Sequence, residues 1–469
     1  MSLLPPSLSG GLFRPVGTPP RMKALPRHRP TTVSVLDIGT SKVCCLVARL
    51  SPREDESWLP GRTHRVEVLG VGHQRSQGVK SGVVVDVERA EGAVRQAVAA
   101  AEAAAGVTID SLIVNVSCGR IGSNAYRSEV ELDGREIEGA DIRSILQAAA
   151  GEAMAERAAK GDGNRIVLHS LPVGYALDGE TDIRDPRGMA AERLGVDMHV
   201  VDADAAPARN LEIAINRAHL SVDSMVATPF ASGLAALVDD EASMGCACID
   251  MGAGTTTLAV FLNGRFVFAD ALAVGGGHVT MDLARGLSTR LEDAERIKVL
   301  HGAALDGPMP EAARDEDTVI VPPMGDDDGD MPQPVSKSHV AAIITPRVEE
   351  ILEMVRDRLV RSGYASAIGG RVVLTGGASA LPGLAAVADR ILSARVRLGR
   401  PLGVGKMPTA AKGPAFATAA GLLIYPQVAG YEEFAAGHAV GSSATPAASG
   451  ERVAVGGPLA RWGAWLKTI

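Results

Sequence analysis

The chain has 469 residues, 46% of them hydrophobic and 22% charged, with a formal net charge of −8 at pH 7. That length is too great for one simple core, so two or more domains are expected, and the balance is that of a globular protein rather than a disordered or fibrous one. The acidic charge argues against a general nucleic-acid binder, and no run of about 18 apolar residues is present to span a bilayer.

Residues 1–30 scatter proline and basic residues through a stretch with no uninterrupted apolar core. A secretory signal needs that core, so a disordered cytoplasmic leader is expected here. Order should begin at Thr31, where Val33 to Leu36 is a short β-branched run ending at Asp37. Val66 to His73 reads as a strand, and an alanine-rich helix is expected from Val87 to Ala105, stopped by Gly106. The strand-like SLIVNVSC and a helix from Ala140 to Lys160 follow. Together they suggest a small β-α-β-α insert over residues 84–163 between two halves of a larger domain.

RIVLHSLPVGYAL and the long apolar run from Cys246 then return to strand, with Asn263-Gly264 as a hairpin signal. After a helix to His301, an acidic, proline-rich stretch should be a solvated loop around a short TVIVP strand. A helix from Val348 to Arg361, the strand RVVLTGG and a helix from Gly383 to Leu392 complete the folded part. Residues 426–457, rich in Ala, Gly and Ser, read as a linker. The five cysteines, Cys44, Cys45, Cys118, Cys246 and Cys248, form no CxxC pair and lie in or beside apolar runs. They read as small buried hydrophobes in a reducing compartment.

An internal duplication carries the chemistry. VSVLDIGTSK at Val33–Lys42 is echoed by CACIDMGAGTTT at Cys246–Thr257, each an apolar strand ending in Asp-x-Gly before small or hydroxyl residues. Glycines let backbone N–H groups approach phosphate oxygens, and Ser and Thr hydroxyls add donors. Gly39, Thr40 and Ser41 of the first turn and Gly252, Ala253, Gly254, Thr255 and Thr256 of the second are the candidate phosphate contacts. Asp37 and Asp250 would flank the phosphates and hold Mg²⁺, directly or through its waters. Lys42 could neutralise a phosphate oxygen. The first turn alone is more often structural and the second alone is as readily structural; the pair at corresponding places favours phosphate. Gly376, Gly377 and Ser379 of LTGGAS permit flat approach to an adenosine, with an ordinary strand-to-helix turn as the plain alternative. Glu295 and Lys298, three apart on one helix face, could reach a ribose and base edge; alone they are more readily a surface ion pair. Gly275 and Gly276 open the glycine-rich turn GGGHVT near the phosphates.

These elements, in this order, resemble the phosphate-one, phosphate-two and adenosine motifs of the actin, sugar-kinase and chaperone ATPase superfamily. TPFASGLAAL at Thr228–Leu237 resembles its connecting helix. The stretches QGVKSGVVVDVERAEGAVRQAVAAAE, LPVGYALDGETDIRDPRGMAAERL, DAERIKVLHGAA, ITPRVEEILEMV and VVLTGGASALPGL narrow the likeness, over about Val33–Tyr425, to the FtsA family of bacterial cell-division proteins. The resemblance implies an α/β actin-like fold: two ribonuclease H-like domains around an ATP and Mg²⁺ cleft, with an inserted SHS2-like subdomain 1C. Its subdomains would be 1A at 31–83 and 164–225, 1C at 84–163, 2A at 226–272 and 340–425, and 2B at 273–339. The proline-rich leader and long acidic loop depart from the family pattern. The resemblance further implies polymerisation with other copies of the chain. It implies contact of 2B with the C-terminal tail of the tubulin-like protein FtsZ, and recruitment of later division proteins through 1C.

The last residues, LARWGAWLKTI, hold two of the three tryptophans. On a helix Leu459, Trp462, Trp465, Leu466 and Ile469 share one stripe, flanked by Arg461 and Lys467, a pattern suited to a membrane interface. A terminal helix docked on its own core is the plain alternative. The resemblance strengthens the anchor reading and implies the cytoplasmic face of the inner membrane at the division septum. Such a helix is only about 16 Å long, so one copy binds reversibly and a polymer binds through effective concentration. Two other functions share the fold: a small-molecule kinase, which lacks any visible sugar-site cluster here, and a pilus-assembly adaptor of the PilM type, which would not carry this tail. No Gln, Glu or His is evidently committed to a hydrolytic water, His278 included, so slow or negligible ATP turnover is expected.

Overall fold

The computed structural model describes residues 20–434, apart from 23, 54–61, 118–119, 162–163, 306–316 and 325–330. The first sheet starts as an antiparallel meander of β1 (Thr31–Ile38), β2 (Lys42–Pro52) and β3 (His64–Arg75). A short hairpin of β4 (Val79–Lys80) and β5 (Val83–Val84) leads into helix α1 (Val87–Ala105). Asp86 caps α1 by accepting the Arg89 N–H at 3.1 Å, and Gly106 ends it at φ +67°. The helix lies directly on the sheet because β3 presents glycine to alanine: a Cβ at Gly72 would fall 1.8 Å from the Ala97 carbonyl oxygen. Strand β6 (Ser111–Val116) then pairs in parallel with β1.

A second, four-stranded antiparallel sheet follows, in the order β7-β10-β8-β9. It consists of β7 (Gly122–Glu131), β8 (Arg165–Leu177), β9 (Glu180–Ile183) and β10 (Arg193–Asp204), with helix α2 (Gly139–Ala159) packed on it. Helix α3 (Ala205–Arg217) and β11 (Ser221–Ala227), parallel to β6, complete the first lobe. This arrangement moves the insert. Residues 87–116, expected within it, belong to the first lobe, and 165–204, expected in the first lobe, supply three of the four strands of its sheet. The reason is non-local: SLIVNV, buried from Leu112 to Val116, runs between β1 and β11 as a central parallel strand.

Helix α4 (Thr228–Ala236) carries the chain across to the second lobe, entered through a short helix α5 (Asp239–Met244). Its sheet opens with another meander, β12 (Cys246–Met251), β13 (Thr256–Leu262) and β14 (Arg265–Leu272). The β13–β14 turn has Asn263 at φ +53° and Gly264 at φ +75°, as an Asn-Gly type I′ hairpin requires. Helices α6 (Gly276–Gly286) and α7 (Leu291–His301) and the hairpin β15 (Thr318–Val321) and β16 (Gln333–Ser336) form a small outer layer. Helix α8 (Lys337–Ser362) begins eleven residues before the expected start at Val348, running through Pro346. Strand β17 (Arg371–Thr375), helix α9 (Leu384–Leu392) and β18 (Arg395–Leu398) close the sheet. The two sheets repeat one topology, β3-β2-β1-β6-β11 and β14-β13-β12-β17-β18, with the last three strands of each parallel.

The chain then returns to the first lobe. Strand β19 (Val404–Gly405) adds to the edge of β3, and helix α10 (Ala417–Ile424) packs on β1, β2, β6 and α4. The expectation that 340–425 lies wholly in the second lobe is corrected accordingly. The insert also leans on the second lobe: Nδ1 of His199 bonds the Phe266 carbonyl at 2.9 Å, and Ser123 Oγ accepts the Ala269 N–H at 3.1 Å. Burial holds the His199 pKa down at about 3, so the ring is neutral and its Nε2 accepts from the Ser123 hydroxyl.

Part of the expected leader and linker is packed as well. Gln427 Oε1 accepts the His64 N–H at 2.9 Å, and the Glu433 N–H donates to the Ser170 carbonyl at 2.8 Å. Glu432 bonds His169 Nδ1 at 2.7 Å, and the Arg21 guanidinium lies 3.8 Å from the centre of the Phe434 ring. Polar side chains with specific partners hold these stretches down, which composition alone does not reveal. The described helices include none long and apolar enough to cross a membrane. The proposed C-terminal helix, Leu459 to Ile469, lies outside the described residues.

Candidate nucleotide site

The duplicated strands end facing one another. Asp37 stands one residue from the end of β1 and Asp250 one residue from the end of β12; both are buried and line a cleft of about 320 Å³ between the lobes. Each strand turns tightly into its neighbour: the Gly39 N–H donates to the Lys42 carbonyl, and the Gly252 N–H to the Thr255 carbonyl, both at 2.9 Å. The turns also meet across the cleft, since a Cβ at Gly254 would lie 2.4 Å from Thr40 Oγ1. The Thr40 oxygen accepts the Gly82 N–H at 3.2 Å, which ties the first turn to the β4–β5 hairpin.

Of the residues singled out from sequence, Asp37, Gly39, Thr40, Ser41, Lys42, Asp250, Gly252, Ala253, Gly254, Thr255, Gly276, Glu295, Lys298, Gly376 and Gly377 all line the cleft. Thr256, Gly275 and Ser379 do not; they hold its walls. Thr256 Oγ1 donates to the Val274 carbonyl at 2.8 Å, and Ser379 Oγ to the Gly376 carbonyl at 2.7 Å. Gly275 packs on the second turn, where a Cβ would lie 2.4 Å from the Gly252 carbonyl oxygen. Gly376 adopts φ +85°, and a Cβ there would fall 2.2 Å from Asp250 Oδ1, so no other residue fits.

The charged groups are unequally held. Asp250 Oδ2 accepts from Thr418 Oγ1 at 2.8 Å and from Ser232 Oγ. Among the described residues, the Asp37 carboxylate accepts no hydrogen bond. Burial pushes its pKa up to about 6, against the pull of Lys42 and with the further push of Asp250. Burial raises Asp250 too, opposed by the two hydroxyls and by Lys42. The Lys42 ammonium donates to the Ala415 carbonyl and sits 3.6 Å from the centre of the Phe416 ring, so it is parked against the segment before α10. Glu295 and Lys298 pair at 2.7 Å, and Lys298 also bonds the Gly276 carbonyl at 3.0 Å and Thr280 Oγ1 at 2.8 Å. They form the rim of the cleft rather than a free surface pair.

Sequence reading missed the hydroxyls of Ser232 and Thr418, which sit in helices that look merely small and apolar. It also missed Asn115, whose amide accepts the Ile38 N–H at 2.7 Å and donates to Thr228 Oγ1 at 3.2 Å. The third omission is the apolar end of the cleft, with Val279, Val299, Val348, Ile351, Leu381 and Leu384.

A divalent cation with a phosphorylated ligand fits these donors. Two buried carboxylates flank paired glycine turns, one of them without a hydrogen-bond partner among the described residues, and the burial that disfavours their charge is relieved by a cation. Mg²⁺ asks for one or two carboxylates and keeps the rest of its shell as water and phosphate oxygen.

Two lobes of repeated topology, an acid-flanked cleft between them and a crossing pair of helices behind it define a protein of the actin-like fold. A solved chain of the PilM–PilN type IV pilus biogenesis complex shares that fold at a TM-score of 0.56 and 16% identity, over 86% of this chain and 99% of that one. The family described as Cell division protein FtsA matches residues 247–421, and the SHS2 domain inserted in FTSA matches residues 118–202, the insert seen here. The FtsA of Agrobacterium fabrum is 54% identical over 448 residues, 96% of this chain and 97% of that protein. The FtsA of Pseudomonas aeruginosa is 33% identical over 390 residues, 83% of this chain and 88% of that protein. The chain belongs to the FtsA family of cell-division proteins.

Proposed function

We propose that the cleft binds ATP with Mg²⁺ and that the nucleotide-bound chain assembles with other copies of itself on the inner membrane. There it links FtsZ to the bilayer at the division site and recruits later division proteins through the insert. The observation that carries the reading is the pair of buried carboxylates, Asp37 and Asp250, ending twin strands on either side of one glycine-lined cleft. Asp37 and Asp250 would hold Mg²⁺, the two turns the phosphates, and Gly376 and Gly377 with the apolar end the adenosine. Bound Mg²⁺ would offset part of the negative charge of the phosphates and the two aspartates. The fit speaks for binding, and turnover is expected to be slow.

The outer layer of the second lobe suits the FtsZ tail: Leu300 of α7 and Ile320 of β15 are exposed apolar side chains there. The stripe Leu459, Trp462, Trp465, Leu466 and Ile469, with Arg461 and Lys467, would supply the lipid contact. The pilus-adaptor and kinase alternatives lose weight because the PilM likeness concerns the fold alone, whereas the identity to FtsA proteins spans nearly the whole chain.

The test is co-sedimentation of the full chain with anionic vesicles, with and without ATP and FtsZ, beside a variant carrying Trp462→Glu and Trp465→Glu. The proposal expects the full chain to pellet, to gain from ATP and to carry FtsZ with it, and the variant to stay in solution. Equal behaviour of the two chains would overturn the anchor.

A further inference from the structure

Helices α4 and α10 cross in contact behind the cleft. A Cβ at Gly421 of α10 would lie 1.7 Å from the Ala231 carbonyl oxygen of α4, so the two backbones touch. Helix α4 is the link from β11 to the second lobe and packs on both sheets, whereas α10 packs on the first. Near that crossing, Ser232 of α4 and Thr418 of α10 bring their hydroxyls within 2.9 Å of each other. Both are buried, and both bond the same oxygen of Asp250, which belongs to the second lobe. The other carboxylate oxygen, Oδ1, faces Gly376, where an added Cβ would lie 2.2 Å from it, and both residues line the cleft.

Packing alone does not call for this arrangement. Ser232 stands between Ala231 and Gly233, and Thr418 between Ala417 and Ala419, so neither hydroxyl follows from the character of its helix. Two buried hydroxyls gathered on one carboxylate oxygen fix its orientation, because rotating the carboxylate would leave both donors unpaired. Asp37, the counterpart in the first lobe, has no such support among the described residues.

We propose that Ser232 and Thr418 are positioning residues. They commit Oδ2 of Asp250 to the helix crossing and thereby present Oδ1 to the hydrated cation of a bound nucleotide, so that cation binding and the seating of the two lobes depend on the same pair of hydroxyls. The proposal rests on the reading of the cleft as a Mg²⁺–nucleotide site.

The test measures binding of a fluorescent ATP analogue to the full chain in Mg²⁺ and, separately, in EDTA. The variants are Thr418→Val, which keeps the shape and removes the O–H, Ser232→Ala, and Thr418→Ser. Loss of a hydrogen bond to a charged group predicts about a tenfold weaker affinity in Mg²⁺ for the first two, with less than about a twofold change in EDTA. Thr418→Ser, which restores the hydroxyl, returns the wild-type affinity. Equal losses in Mg²⁺ and EDTA, or no rescue by serine, would mean a packing role and overturn the inference while leaving the site reading intact. Failure of the wild-type chain to bind the analogue in either condition overturns the site reading and the inference with it.

Discussion

Asp37 is a buried carboxylate without a hydrogen-bond partner among the described residues, and replacing it with asparagine should reshape the pH dependence of the nucleotide-free protein. Its pKa rises from an ordinary 3.8 to about 6 on folding, chiefly through burial. Below the unfolded value the group is protonated in both states and adds no pH dependence. Between 3.8 and 6 the folded state keeps a proton that the unfolded state has lost, so stability falls as pH rises. Above 6 the folded protein carries the buried charge at its full cost, about 3 kcal/mol at 1.36 kcal/mol per pKa unit. The amide of the variant carries no such charge, so the stability of Asp37→Asn relative to wild type should improve by that amount between about pH 4 and pH 8. For roughly 400 residues unfolding together, this is a change of about 4 °C in the Tm difference. Paired thermal melts across that range, without nucleotide or divalent ions, read it directly. Any constant offset from the amide cancels in the trend. A wild-type-to-variant difference that is flat with pH, or that moves against the variant as pH rises, would mean that burial of the Asp37 charge does not set this dependence.

Three further outcomes follow from the geometry. Gly376→Val places a β-branched residue at φ +85° with its Cβ 2.2 Å from Asp250 Oδ1; it should cost at least ~2 kcal/mol in denaturant melts and abolish nucleotide-dependent stabilisation. Gly421→Val forces α4 and α10 apart, because its Cβ would lie 1.7 Å from the Ala231 carbonyl oxygen. Its expected signature is loss of soluble folded protein or a fall in stability of ~3 kcal/mol or more, seen by circular dichroism. Glu432→Ala removes the acceptor of a fully buried imidazole. His169 Nε2 already accepts the Ala227 N–H at 2.9 Å, so Nδ1 carries the proton and would be left unpaired. The expected cost is about 1–3 kcal/mol, checked by chemical denaturation, and an unchanged midpoint would show that residues 426–434 do not hold to the body in solution.

Local features of the site are legible because they are written in short stretches. A β-branched run ending in Asp-x-Gly and glycine before hydroxyl residues mark β1 and β12, and the echo between them tells of two facing halves. Helix α1 is readable to the residue from its alanine content and Gly106. What is not legible depends on distant partners. SLIVNV reads plainly as a strand, yet nothing in it says that β1 and β11 flank it, and so sequence alone places the insert too early. The start of α8 is hidden by Pro346, which one sequence cannot distinguish from a helix boundary. Ser232 and Thr418 sit among small residues, and only the crossing of α4 and α10 turns their hydroxyls towards one carboxylate. The packing of Arg21, Glu432 and Phe434 beside β8 likewise joins stretches hundreds of residues apart whose composition suggests loose chain.

Titration calorimetry of the full chain with Mg²⁺–ATP reads whether the cleft between the lobes is a Mg²⁺–ATP site. One saturable site is expected, weakened when Mg²⁺ is removed and lost in Gly376→Val. Absence of binding heat together with an ATP-independent Tm, or binding that survives Gly376→Val unchanged, would contradict that reading of the cleft.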